Sequence, residues 1–229
     1  RRLTMDRLQT ELTRLYLAKE QPPGHTRALL LEVRAPSGWR ELSAVWKGVQ
    51  ADLELPAPAI AVSGRDGLQL WFSLAEPIGE SEAMAFLDAL CHRYLGETPA
   101  ARVRRVPVHA SSQGDPADTV SLPPRQVASE RWSVFVAHDL ASLFDDERWL
   151  DQPADADAQA DLLGRIEVAK PDAFARAMAL LAHSQERPEN IAPTPEPRPA
   201  TQRDPREFLP SVMNDPAVEM SLRIEAAKA

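Results

Sequence analysis

The feature that most constrains the fold is a pair of short strand-like segments joined by the turn sequence GRDG. Residues 59–63 and 68–74 are rich in Leu, Ile, Val and aromatic side chains, which favour strands. Gly64 and Gly67 tolerate the positive φ angles of a tight turn. These segments predict an antiparallel hairpin.

The flanking segments extend the pattern to β-α-β-β-α-β. Residues 27–33 and 102–108 have the length of strands, and apolar residues recur at helical spacing over 39–53 and 80–95. With right-handed crossovers, this order predicts a four-stranded antiparallel sheet with both helices on one face. The predicted class is α+β, of ferredoxin-like or RNA-recognition-like (RRM-like) type.

Side chains alternate across each strand, so the predicted sheet has two distinct faces. The helix-facing residues are predicted to be Leu29, Leu31, Val33, Ile60, Val62, Leu68, Leu70 and Phe72. The other face, which we expect to be open, carries Glu32, Arg34, Ala61, Ser63, Gln69, Trp71 and Ser73. In folds of this kind the open face is the working surface.

The rest of the chain suggests four regions. An amphipathic helix is predicted in residues 1–24, and the main domain spans 25–183 with a fifth strand in 131–140 and helices near 157–166 and after Pro171. Residues 109–118 and 122–127 are predicted to be loops. Residues 184–203 are proline-rich and predict an extended linker, and 204–229 predict two short capped helices.

Composition narrows the function classes. The net charge of -8 argues against indiscriminate binding to phosphate backbones, although residues 1–131 have balanced charge and can hold a local basic patch. A lone Cys91 excludes an internal disulfide and favours the cytoplasm, and the scattered histidines predict no metal site. No apolar run reaches the roughly 18 residues of a membrane span.

LLLEV at 29–33 and AVSGRDGLQLWFSL at 61–74 resemble the palm of the archaeo-eukaryotic primase superfamily, which includes primase-like replication proteins of plasmids and phages. The resemblance covers residues 27–140. Such palms carry an acidic pair on the first strand, a histidine on the hairpin and a later aspartate. Glu32 matches one acid, Gln69 occupies the histidine position and Asp139 is the candidate for the later acid.

Arg34 stands where the second carboxylate is expected. A guanidinium there repels the cations of a two-metal site, and Gln69 offers no titratable imidazole. The resemblance therefore implies a non-catalytic palm of a mobile genetic element that binds nucleic acid or a nucleotide without a cofactor. An active primase or polymerase using Mg²⁺ is the alternative if Glu32, Asp139 and another acid converge.

Several side chains are candidates for binding single-stranded nucleic acid. They are Arg34, Arg65, Gln69, Trp71, Arg102, Arg104 and Arg105. Trp71 could stack on a base or pack beneath residues 131–180. The arginines at 102–105 could contact phosphates or protect a sheet edge, and Glu32 with Arg34 could be a simple ion pair.

A second function class is an adaptor with an inert palm, which recruits a protein partner or another copy through residues 204–229. FLPSVMNDPAVEMSLRIEAAKA at 208–229 is similar to tail segments of phage terminase small-subunit-like proteins, which act in DNA packaging. That resemblance covers only the C-terminal tail.

Overall fold

A six-stranded sheet forms the centre of the protein in the computed structural model, which describes residues 2–17, 22–108 and 120–185. The strands are β1 (His25–Arg34), β2 (Ala59–Val62), β3 (Gly67–Gly79), β4 (Val103–Val108), β5 (Arg125–Ala128) and β6 (Arg131–Val136). They lie in the order β4-β1-β3-β2-β6-β5, and all neighbours are antiparallel. The α+β class is confirmed.

Helices cover both faces of this sheet. They are α1 (Arg2–Leu15), α2 (Trp39–Ala51), α3 (Glu80–Tyr94), α4 (Ala156–Leu163) and α5 (Pro171–Gln185), with 3₁₀ turns at Ala100–Arg102 and His138–Phe144. Among the described helices, none combines the length and apolar character needed to cross a membrane. The predicted helix pair at 204–229, and all of the predicted linker beyond residue 185, lie outside the described residues.

The main core lies between the sheet and α2, α3 and α5. All eight residues predicted to face the helices belong to this one buried cluster, so the alternation of side chains along β1, β2 and β3 is confirmed. Leu42 and Val45 of α2, Phe86 and Leu90 of α3 and Phe174 of α5 complete it. Burial of each such side chain contributes about 1.5–3 kcal/mol before conformational entropy is subtracted.

The opposite face of the sheet was expected to be open, and that expectation is wrong. α1 and α4 cover it, and their apolar side chains form a second buried cluster with Leu30, Trp71 and Phe135 of the sheet. The apolar stripe of α1 includes Leu12 and Leu15, and an amphipathic helix must bury such a stripe against something. Here the sheet is its partner.

Two further strands extend the four-stranded core: β6 (Arg131–Val136) confirms the strand predicted in 131–140, whereas β5 (Arg125–Ala128) was not predicted. β6 pairs with β2, and β5 pairs with β6. Part of the segment 122–127 is therefore strand, although the two prolines before Arg125 suggested a loop. The chain leaves the sheet after Val136, so Asp139 lies in a 3₁₀ turn instead of on a strand.

Arg148 fastens the chain near the ends of β1 and β3. Its side chain is 1% exposed and donates hydrogen bonds to the main-chain carbonyl oxygens of Val33 (3.3 Å), Ser37 (2.6 Å), Asp66 (2.8 Å) and Asp145 (3.1 and 3.2 Å). Burial lowers the pKa of this guanidinium. Its main role is to satisfy carbonyl groups that would otherwise be buried without a donor.

Candidate functional site: an arginine-lined cleft

The candidate site begins with a row of polar residues across three adjacent strands. Glu32 of β1 lies directly opposite Gln69 of β3 on one side and Arg104 of β4 on the other. Residues paired in this way point to the same face of the sheet. The register therefore gathers three of the predicted residues although they are far apart in sequence.

This row opens into a cleft of about 390 Å³. The cleft is lined by Glu32, Arg34, Ser63, Arg65, Asp66, Gln69, Arg104, Val120, Ser121, Arg125, Gln126, Val127 and Ser133. The volume falls within the range of small-molecule sites. Five of the predicted site residues lie here: Glu32, Arg34, Arg65, Gln69 and Arg104.

A chain of hydrogen bonds connects the cleft floor to the core beneath α1. The Trp71 indole N–H donates to Gln69 Oε1 (2.9 Å), and Gln69 Nε2 donates to Glu32 Oε2 (2.8 Å). Because an indole nitrogen only donates, it fixes which way the amide of Gln69 points. The carboxylate of Glu32, 4% exposed, is thus held in one orientation.

The first residue of β3, Gly67, leaves room for that carboxylate. A Cβ on Gly67 would stand 2.6 Å from Cγ, Cδ and Oε1 of Glu32, so only glycine fits without displacing the acid. Ser63 Oγ accepts hydrogen bonds from the backbone N–H groups of Arg65 (3.1 Å) and Gly67 (2.9 Å). These contacts fix the turn that presents Arg65 at the rim.

The rim of the cleft is basic. Arg34, Arg65, Arg104 and Arg125 face two carboxylates, Glu32 and Asp66, which gives the lining a net charge of +2 in a chain of net charge -8. Arg34 Nε lies 3.4 Å from Glu32 Oε1, and its side chain is 43% exposed. A concave site with an excess of one sign of charge concentrates ions of the opposite sign, so the rim favours anions.

The donor set does not fit a divalent cation. Glu32 is the buried acid of the cleft, and its two oxygens accept from Gln69 and Arg34. Mg²⁺ and Ca²⁺ require several converging oxygen ligands, and the neighbouring guanidinium groups repel them. Within the described ranges, no three His, Cys, Asp or Glu side chains form a group suited to a metal ion.

Trp71 lies beneath the site instead of on its surface. Its side chain is fully buried and makes edge contacts with the rings of Tyr16 (centroids 5.6 Å apart) and Phe135 (6.4 Å). No face of the indole is exposed for a base to stack on. Of the two roles considered for Trp71, the structure supports packing, with α1 as well as residues 131–180 forming the cover.

The remaining predicted residues lie away from the cleft. Arg105 points to the helix side of β4, where its guanidinium pairs with Asp88 of α3 at 2.6 Å, and Arg102 ends a 3₁₀ turn. Asp139 lines a separate groove of about 620 Å³, whose walls include Trp46 and His138. The structure therefore does not bring Asp139 together with Glu32.

Arg125, Asp66 and Ser133 complete the cleft, and sequence reasoning missed them. The Arg125 guanidinium donates to Ser121 Oγ (2.9 Å). The Arg125 backbone N–H donates to Oγ of Ser133 (3.2 Å), which lies opposite it in the pairing of β5 with β6. The alternation of Val127 with polar neighbours was a weak strand signal, which the preceding prolines outweighed. The sequence indicated a turn at Asp66 and gave no sign that its carboxylate lines a cleft.

Comparison with known proteins finds neither a family model nor a curated protein that matches this sequence.

Proposed function

We propose that this protein is a non-catalytic, primase-like palm that binds nucleic acid or a nucleotide through the arginine-lined cleft. The observation that carries the proposal is the grouping of Arg34, Arg65, Arg104 and Arg125 around one cavity. Guanidinium groups bind phosphate oxygens through paired, charge-assisted hydrogen bonds. A phosphate at the rim would meet several such donors at once.

The ferredoxin-like description belongs to the same proposal. Four of the six strands are adjacent in the order β4-β1-β3-β2, and α2 and α3 lie against one face. This order supports an RRM-like palm to which β5, β6 and the covering helices are additions. The covered second face moves the expected binding surface from the middle of the sheet to the cleft at its end.

Binding of labelled single-stranded RNA and DNA, measured by fluorescence anisotropy at low salt, tests the proposal. We expect Arg104→Ala to weaken binding roughly 10-fold or more, since a hydrogen bond to a charged group contributes about 1.5–3 kcal/mol. Binding should also fall steeply with added salt.

Arg105→Ala is the matched control. It removes the same side chain from the next position of β4, but from the opposite face, where an exposed pair with Asp88 contributes at most about 1 kcal/mol to stability. Equal loss of affinity in both variants, or no binding by the wild type at low salt, would contradict the proposal.

A protein-protein adaptor is the second candidate because one 3₁₀ turn displays apolar side chains. Leu140 is 47% exposed and Leu143 is 72% exposed, beside the groove that contains His138. If this surface recruits a partner, Leu143→Ser will reduce partner recovery in a pull-down while Arg104→Ala will not. Unchanged partner recovery both with the Leu143→Ser variant and with a deletion of residues 202–229 would exclude the adaptor function.

An active polymerase is less well supported, since Glu32 and Asp139 line different cavities. Template-dependent incorporation with Mg²⁺ or Mn²⁺, lost in Glu32→Ala, would revive it. The cytoplasmic location and the origin in a mobile element stay predictions.

A further inference from the structure

Glu32 is an unusual residue for the floor of an anion site. Its carboxylate lies below a rim that attracts phosphate, yet it repels any phosphate that moves deeper. An anionic ligand is therefore held at the rim and cannot place its charge on the floor. Whatever part of the ligand reaches Glu32 must be neutral or positively charged.

The carboxylate also has accepting capacity left. An ionised carboxylate has about four lone-pair sites, and the contacts with Gln69 and Arg34 use one on each oxygen. The indole of Trp71 holds Gln69, and Gln69 holds Glu32, so the acceptors are fixed before a ligand arrives. A fixed acceptor of this kind selects ligands that carry O–H or N–H donors.

The distance between the anion rim and the floor is short. Arg104 stands directly opposite Glu32 in the pairing of β4 with β1, so the two side chains leave the same face of the sheet from neighbouring positions. Arg34 is closer still, with Nε 3.4 Å from Oε1 of Glu32. A ligand must therefore carry its donor within about one sugar unit of its phosphate, which describes the hydroxyl groups of a ribose better than the amino group of a base.

We propose that the cleft takes a ribonucleotide unit with its phosphate on the arginine rim and its ribose hydroxyls on Glu32, which makes Glu32 the residue that distinguishes RNA from DNA. The inference rests on the proposed function and names its substrate class. The 2′-hydroxyl is the group by which proteins tell the two nucleic acids apart, and a carboxylate is a suitable acceptor for it.

Calorimetric titration of the full chain with uridine monophosphate (UMP) and deoxyuridine monophosphate (dUMP) tests this directly, because the two probes differ only in the 2′-hydroxyl. We expect the wild type to bind UMP roughly 10-fold more tightly than dUMP, since a hydrogen bond to a charged group is lost. Ribose 5-phosphate should bind with much of the affinity that the protein shows for UMP. Glu32→Gln should make the affinities for UMP and dUMP nearly equal. It should also tighten the binding of inorganic phosphate, because the carboxylate that repels phosphate is gone.

Two more variants keep the test informative. Gly67→Ala keeps the charge of Glu32 but displaces its carboxylate, so it too should lose the preference for UMP, and it serves if Glu32→Gln does not fold. Arg105→Ala should bind all probes like the wild type. Circular dichroism of each variant shows whether it is folded.

The outcomes separate this inference from the proposed function. Equal binding of UMP and dUMP by the wild type overturns the inference and leaves phosphate binding intact. Tighter binding of both CMP and dCMP than of UMP means that the floor reads a base amino group, and the ribose assignment is overturned. No binding of any phosphorylated probe at low salt removes the proposed function itself.

Discussion

Replacing Trp71 with phenylalanine measures how much the buried hydrogen-bond chain contributes to stability. The substitution keeps an aromatic ring among Tyr16 and Phe135 but removes the indole N–H that donates to Gln69 Oε1 at 2.9 Å. Gln69 is 6% exposed, so its oxygen has little access to water. It becomes a buried acceptor without a donor.

Two contributions set the expected loss. An unsatisfied buried acceptor costs about 1–3 kcal/mol. The smaller ring leaves a cavity of roughly 40 Å³, which costs about 1 kcal/mol at the ~24 cal/mol per Å³ seen for core cavities. We therefore expect Trp71→Phe to lower the free energy of unfolding by about 2–4 kcal/mol.

Urea unfolding followed by far-ultraviolet circular dichroism is the appropriate measurement, because the chain has five tryptophans and fluorescence would mix their signals. Trp149→Phe is the control. The Trp149 indole N–H donates to the exposed Asp151 carboxylate at 3.0 Å, where water can replace it, so the loss should stay below about 1 kcal/mol. If both variants lose the same small amount, the reasoning about a buried chain of hydrogen bonds is refuted.

Three further substitutions test other parts of the structure. Within the described ranges, the Tyr16 hydroxyl is the buried side-chain group without a hydrogen-bond partner. Tyr16→Phe should therefore raise the free energy of unfolding by about 1 kcal/mol in urea titrations. A decrease would show that the hydroxyl has a partner. Arg148→Met should cost more than about 3 kcal/mol by the same assay, since several buried carbonyl groups lose their donors, and a loss below about 1 kcal/mol would contradict this. Burial raises the pKa of the Cys91 thiol to about 11, so the unfolded chain ionises first, near its usual value of about 8.5, and stability should fall as pH rises between these values. Cys91→Ala should show a smaller fall over that interval, and identical pH profiles for the two proteins would contradict the assignment.

The sheet could be predicted from sequence because its signals are local. The alternation that places Leu29, Leu31 and Leu70 on one face needs only a few consecutive residues, and the turn at GRDG is equally local. The cover of the second face is different. The apolar stripe of α1 shows that the helix must pack on something, but the sequence does not say on what.

The residues of the cleft could not be grouped from sequence, because they meet through contacts between strands that are distant in the sequence. Glu32, Gln69 and Arg104 become neighbours only through the register of three strands. The separation of Arg104 from Arg105 follows from alternation along a strand and could have been predicted, since consecutive residues point to opposite faces. The place of Arg125 in the cleft could not have been predicted, because it depends on the pairing of β5 with β6.

Arg148 bears on how short a working fragment of this protein can be. Every residue that lines the cleft lies between Glu32 and Ser133, so a chain cut just after β6 would contain the whole lining. It would nevertheless lack the guanidinium that ties together the carbonyl groups of Val33, Ser37 and Asp66. The smallest piece that keeps the cleft in shape must therefore extend past β6 as far as Arg148, although no residue beyond Ser133 lines the cleft.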